Sequence, residues 1–273
     1  MVEVGFGTGE YLLERARQNP DQNFVGLEIN FELIKKTLKR IHAQKITNIR
    51  LVKVHALIAL EYLFAPRSIT RMEALFPFPW PKKRHHRHRL FKKNFFKLLN
   101  NRLTEQGQLM IVTDDKPFFA WVLAQARGTG FQTTKTEIPA QFQTRFERKW
   151  QAQGQDSFFQ AMFIKKTHQR ANVKKVQDIP PAFFSRFDPE TYTPRSVTGA
   201  QSIIFKKFRF DERRQEGRQL VFAVEEPLVQ GFTVLIQRDG KKWKAGLSGN
   251  EKILRTHLVK KGVRTAQKAC RKN

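Results

Sequence analysis

The stretch Glu3-Val4-Gly5-Phe6-Gly7-Thr8-Gly9 decides the fold: it closes a short apolar run, Val2 to Val4, and opens a helical pattern. Glycines at alternate positions let the backbone turn tightly and bring its amides close to a ligand at the helix start. A second strand pattern, Phe24 to Glu28, ends on an acid nineteen residues beyond Gly9. There a carboxylate is placed to accept the protons of both ribose hydroxyls. Turn and spaced acid together describe a nucleoside site at a sheet edge, with Gly5, Gly7, Gly9 and Glu28 as contacts. Taken singly, the turn also suits a structural role, and Glu28 an ordinary surface acid.

Working outward from this turn, short apolar runs alternate with helical patterns as far as residue 166, the signature of a sheet whose strands are joined by crossover helices. Seven strands are predicted: Val2 to Val4, Phe24 to Glu28, Ile49 to Val54, Met72 to Pro77, Gln108 to Thr113, Phe131 to Thr136 and Phe158 to Ile164. Between them, Phe31, Ile34, Leu38 and Ile41 recur at helical spacing, as do Leu90, Phe91, Phe95, Leu98 and Leu99. The expected architecture is a doubly wound α/β domain over 1–166. Residues 167–195, rich in cations and holding Pro180-Pro181 and two further X-Pro steps, read as a linker. A smaller strand-rich basic region then fills 196–273: Phe208 to Phe210, Leu220 to Val224 and Phe232 to Ile236 alternate apolar with polar positions. Asp239-Gly240 is the expected hairpin turn, and the end from Asn250 is expected to be helical.

Composition narrows the partner. With 40% hydrophobic residues and 25 Phe the chain buries a substantial core, yet 51 Lys and Arg against 24 Asp and Glu leave a net charge of +27. Such an excess calls for a polyanion. No apolar run approaches the roughly 18 residues of a spanning helix, which favours nucleic acid over membrane. The amino terminus lacks the features of a signal peptide and Cys270 is the sole cysteine, so the protein reads as cytoplasmic.

The glycine turn does not separate S-adenosylmethionine from a nicotinamide dinucleotide. The stretch that does is Leu75-Phe-Pro-Phe-Pro-Trp-Pro-Lys-Lys-Arg-His-His-Arg-His-Arg89, after the fourth strand, the edge where doubly wound sheets hold ligands. It resembles the signature of the tRNA (guanine-N7-)-methyltransferases, Phe-Pro-Asp-Pro-Trp-Pro-Lys-Lys-Arg-His followed by further basic residues. The likeness runs in register through Glu3, Glu28, Thr113-Asp114 and Thr144-Arg-Phe-Glu147 over the first 166 residues. It implies the Rossmann-like class I methyltransferase sheet and transfer of a methyl group from S-adenosylmethionine to N7 of a guanine in the tRNA variable loop. By the same carry-over Glu3, Glu28 and His55 face the cofactor, while Lys82, Asp114, Thr144, Arg145, Phe146 and Glu147 hold the guanosine. Guanine N7 carries an exposed lone pair, so positioning by a carboxylate on the N1 and N2 edge can dominate and no strong base is needed.

Three departures stand out. Phe78 occupies the place of the signature's Asp, which leaves the catalytic residue open. His55 replaces an Asp or Asn that meets the adenine amino group, reversing the sense of that hydrogen bond. The chain also opens inside its first strand, so that strand is expected to be a stub, as in a truncated amino terminus. Two other functions therefore stay open: a tRNA-binding protein or partner subunit without methyl transfer, and a methyltransferase acting on another RNA or base. Asp114 has the alternative of capping the next helix, and Glu147 that of pairing with Arg148 or Lys149.

His85, His86 and His88 lie among Lys82, Lys83, Arg84, Arg87 and Arg89. Flanking cations oppose a divalent ion and no cysteine is near, so no metal is expected; contact with RNA phosphates is. Past residue 166 the resemblance is not carried. There Lys206-Lys-Phe-Arg-Phe210 and Lys241-Lys-Trp-Lys244 suit phosphate contact with base stacking. The other reading is that Phe208, Phe210 and Trp243 form a small core beneath a soluble cationic face. The sequence does not fix the oligomeric state.

Overall fold

All seven strands expected in the first part of the chain form in the computed structural model, which describes residues 1–171, 174–249 and 253–271. They are β1 Val2–Val4, β2 Phe24–Glu28, β3 Ile49–Lys53, β4 Ile69–Leu75, β5 Leu103–Thr113, β6 Phe131–Pro139 and β7 Ser157–Lys165. Their spatial order is β3-β2-β1-β4-β5-β7-β6. The pairs among β1 to β5 are parallel, and β7 runs antiparallel to both neighbours. The connections joining them are α1 Glu10–Gln18, α2 Phe31–Ala43, α3 Ala56–Tyr62, α4 Lys93–Arg102, α5 Lys116–Ala126 and α6 Arg145–Gln151. The order reverses between β1 and β4, a switch point that opens a crevice at the carboxyl ends of the strands.

Central strands of this sheet are covered on both faces and read as apolar runs. Leu109, Ile111 and Val112 of β5 are fully buried, and Phe91, Phe95, Phe96, Phe118 and Phe163 fill the adjoining core. The helical stripe of α2 behaves otherwise: Ile34 is buried, but Phe31 and Leu38 are about half exposed while Thr37 is fully buried. The reason lies in the glycine turn, because a Cβ on Gly9 would sit 2.6 Å from Thr37 Cγ2. That close approach rotates the buried face of α2 onto Thr37 and away from its most apolar line.

The chain divides into two compact units, 1–173 and 174–273. The second holds an antiparallel sheet of order β8-β12-β11-β10-β9, with β8 Ala182–Phe184, β9 Gln201–Asp211, β10 Glu216–Glu225, β11 Leu228–Asp239 and β12 Lys242–Leu247. Helix α7, His257–Cys270, is capped by Thr256 and buries Leu258, Val259, Val263 and Ala266. Gly262 lets it approach Phe232, whose ring would lie 3.0 Å from a Cβ there. Part of the segment read as a linker joins this unit: Ile179, Phe187 and Tyr192 lie in its core and β8 pairs with β12. The hairpin after β11 turns on Gly240-Lys241, one residue later than expected, since Asp239 still pairs with Lys242. The extremes of the carboxyl-terminal stretch expected to be helical, 250–252 and 272–273, lie outside the described residues.

One expectation is overturned here. Phe208, Phe210 and Trp243 do not present free faces for bases: Trp243 is buried, and the three rings pack with Phe187 and Tyr192. Alternation along a strand sends rings to one face and cations to the other, and the ring face became the core.

Candidate active site

The residues singled out in the sequence motifs of the first unit gather toward the carboxyl edge of its sheet. The turn after β1 places Gly5, Gly7 and Gly9 at φ of 70°, 56° and 76°, a region that disfavours side chains. Added Cβ atoms at Gly5 and Gly7 would meet nothing within 4 Å. These two glycines border open space, whereas Gly9 is needed for packing. Glu28, at the end of β2, is fixed by backbone: its Oε1 accepts from the amides of Ile29 and Asn30 at 2.8 and 2.9 Å, and its Oε2 from Gly7 at 3.3 Å. Turn and acid are thus one unit.

Carboxyl groups crowd the turn despite the basic chain. Glu3 is buried and its Oε2 has no hydrogen-bond partner in the protein. Burial, and then the carboxylates of Glu73, Glu10 and Glu28, push its carboxyl well above the ordinary carboxylate range. Glu10 opens α1 and accepts from the Thr8 hydroxyl, and Arg40 and Arg148 lie 3.9 and 3.7 Å from its Oε1, so the helix start already holds a carboxylate with its counter-charges. Glu73, the β4 partner of Glu3, is fully buried and paired with Arg71. Neither Glu10 nor Glu73 was singled out from the motifs. An acid inside the run Met72-Glu73-Ala74-Leu75 was the available signal, because buried parallel strands are ordinarily apolar.

His55 caps α3, its Nδ1 accepting from the Leu57 amide at 3.3 Å, and burial lowers its pKa. The neutral ring therefore carries its proton on Nε2 and offers a donor. After β4, Phe76 and Trp80 take φ of 50° and Pro77, Pro79 and Pro81 stiffen the loop. Phe78 is 65% exposed. Lys82 is exposed and precedes a 3₁₀ turn, Lys83–His88. Arg89, expected among the cations that contact RNA phosphates, is instead buried beneath the loop; its guanidinium donates to Pro79 O at 2.8 Å and to Trp80 O at 3.4 Å.

Asp115 rather than Asp114 caps α5, accepting from the Phe118 amide at 2.6 Å. Asp114 is left at the end of β5, with its carboxyl raised chiefly by burial and further by Asp115. Thr144 caps α6 through the Glu147 amide at 3.1 Å. Glu147 turns inward: it is buried and its Oε1 accepts from the Gln141 amide at 2.7 Å, so it braces the loop before α6 instead of pairing with a neighbouring cation. Arg145 and Phe146 are exposed. Among the described residues no group of three or more His, Cys, Asp or Glu side chains is arranged to hold a metal.

The strand order and the glycine turn after β1 are those of the Rossmann-like class I methyltransferase fold. A family model described as "Putative methyltransferase" matches residues 1–160. The tRNA (guanine-N(7)-)-methyltransferase of Chlorobium phaeobacteroides is 44% identical over 167 residues, 61% of this chain and 82% of that protein. The proteins of the same name from Thermus thermophilus and Aquifex aeolicus are 30% and 25% identical. Each alignment spans 97% of this chain, and they cover 86% and 91% of those proteins respectively. The chain belongs to the tRNA (guanine-N(7)-)-methyltransferase family. The last two alignments also extend the resemblance through the second unit, where the sequence motifs did not carry it.

Proposed function

We propose that the protein transfers a methyl group from S-adenosylmethionine to N7 of a guanine in tRNA, the variable-loop guanine being the target. The observation that carries the cofactor is the acidic turn. A dinucleotide would bring its pyrophosphate to the start of α1, where Glu10 already stands, among the carboxylates of Glu3, Glu28 and Glu73. A cation fits that setting, and the unpartnered buried Oε2 of Glu3 suits an ammonium. S-adenosylmethionine, when bound, supplies an electrophilic methyl group on a sulfonium.

Glu28 would accept the ribose hydroxyls, Gly5 and Gly7 leave room for the chain of the donor, and His55 Nε2–H would face an adenine ring nitrogen rather than its amino group. Asp114, free of capping, would accept from guanine N1 and N2. Attack by N7 requires no proton removal, so these residues align and orient rather than act as bases. Lys82, Thr144 and Arg145 border the same edge and suit the nucleotide backbone, while Glu147 maintains the loop they flank.

The second unit supports a grip on phosphates. Lys261, Arg264 and Lys268 are exposed on α7, and Lys206, Lys207 and Arg209 on β9. Arg186 and Arg238 border an open cavity of about 550 Å³. No helix among the described residues is long and apolar enough to cross a membrane, and a tRNA substrate puts the work of the protein in the cytoplasm. Transfer of labelled methyl to an unmodified tRNA transcript, with chemical mapping of the product, tests the proposal. Label on guanine N7 is expected. Tight tRNA binding without label would leave a binding protein, and label on another base would point to a different RNA methyltransferase.

A further inference from the structure

We propose that the ring of Phe78 is a stacking platform for the target guanine and so a further substrate-binding residue; this rests on the reading of the chain as an RNA guanine methyltransferase.

The loop that carries Phe78 is held, not slack. Prolines on both sides restrict its backbone, and Arg89 ties two of its carbonyls from below while its guanidinium lies 4.8 Å from the Trp121 ring centroid and 5.6 Å from that of Phe118. On this support Phe78 is 65% exposed, although the neighbouring Phe76 is buried. Its ring meets Trp80 at 4.9 Å and 77°, and Trp80 is backed in turn by His88 at 5.0 Å and His85 at 5.9 Å. A large ring fixed in solvent contributes nothing to the core. It has little freedom left to lose on binding a flat ligand, which is the condition for preorganised recognition.

Location selects the ligand. Leu75 at the end of β4 pairs with Val112 of β5, so the Phe78 loop and Asp114 leave the sheet from adjacent strand ends. A carboxylate there suits the polar edge of guanine and an aromatic ring suits its face. Exposed Lys82, Lys83, Arg84 and Arg87 follow directly, the combination of π-face and cations that holds an unpaired nucleotide. The Asp of the motif has no such face, so this chain gains base stacking where the signature has charge.

In the full-length protein Phe78→Ala should lower kcat/KM for tRNA roughly 5- to 150-fold, while calorimetric affinity for S-adenosylmethionine and the Tm stay unchanged. Phe78→Trp should retain most activity, and Phe78→Leu, apolar but without a π-face, should lose as much as the Ala variant. Wild-type rates in the Ala or the Leu variant would overturn the proposal. If the wild type transfers no methyl group, the enzymatic reading fails separately. Stacking is then read from 2-aminopurine fluorescence in a short single-stranded RNA, quenched on binding to the wild type and not to Phe78→Leu. Absence of quenching by the wild type would overturn it.

Discussion

Two stretches of this protein use the same residue types and do opposite things with them. Between Phe76 and Arg89 in the first unit aromatic residues spaced by prolines run into a string of cations, whereas at Lys206–Phe210 and Lys242–Lys244 in the second they alternate with cations. On the strands β9 and β12 the rings turn inward: Tyr192 and Phe208 have centroids 4.6 Å apart, Phe187 and Trp243 5.2 Å. On the proline loop after β4, Phe78 faces solvent. The difference comes from backbone periodicity. A strand sorts alternate side chains to opposite faces, so cation-aromatic alternation is simply an amphipathic strand. A loop interrupted by proline has no such sorting, and its exposed ring needs another explanation.

The comparison breaks most visibly in stability. Trp243→Ala should cost about 3–5 kcal/mol, in line with loss of a buried aromatic side chain, whereas Phe78→Ala should stay within about 0.5 kcal/mol. Urea unfolding, with the transition of the second unit followed separately, measures both. Equal losses would mean that the two rings are not differently placed. In catalysis the asymmetry should reverse: Asp114→Ala is expected to reduce methyl transfer about 100-fold through misalignment of the base while tRNA affinity changes less than about 2-fold, because phosphate contacts dominate binding. Parallel loss of both would remove Asp114 from the role of aligning the base.

A smaller effect sharpens the contrast between the acidic turn and its basic surroundings. The carboxyl of Glu3 sits above its ordinary range because of burial and its acidic neighbours, so a cationic donor should bind with release of a proton and its affinity should rise with pH. The sign is opposite for stability. A group whose folded-state pKa is raised contributes stability at low pH that is lost as pH rises. Glu3→Gln should therefore be more stable than the wild type at neutral pH yet bind S-adenosylmethionine about 10-fold more weakly, with a flat pH profile by calorimetry. A Gln variant that keeps the pH dependence would place the proton elsewhere.

The smallest expected change belongs to the cations of the second unit. Replacing Lys261, Arg264 and Lys268 on α7 by Gln should shallow the slope of log K against log salt by up to about 0.7–0.9 for each phosphate no longer neutralised, with kcat at saturating tRNA unaltered. An unchanged slope would assign the grip to other cations.

Much of the first unit was legible in the sequence. Its seven strands, the glycine turn and Glu28 follow from local backbone demands and from the apolar runs of a sheet covered on both faces. The motifs after β4, β5 and β6 placed the candidate site at the carboxyl edge. What escaped were interactions that depend on neighbouring strands. Glu73 gains its meaning only by lying beside Glu3 in register, and Arg89 only by reaching back under the loop to Pro79 and Trp80. Capping shows the same limit: the sequence reading gave Asp114 the alternative of capping the next helix, and backbone geometry at the start of α5 chose Asp115.

The sequence by itself determined the α/β character, the basic surface and the glycine turn, because periodicity, net charge and glycine conformation are local or additive properties. Only the tertiary structure decided which aromatic rings are core and which face solvent, that part of the expected linker belongs to the second core, and that Glu147 braces a loop from within. Those outcomes depend on which surfaces meet, and burial and hydrogen-bond satisfaction are settled between segments distant in the chain.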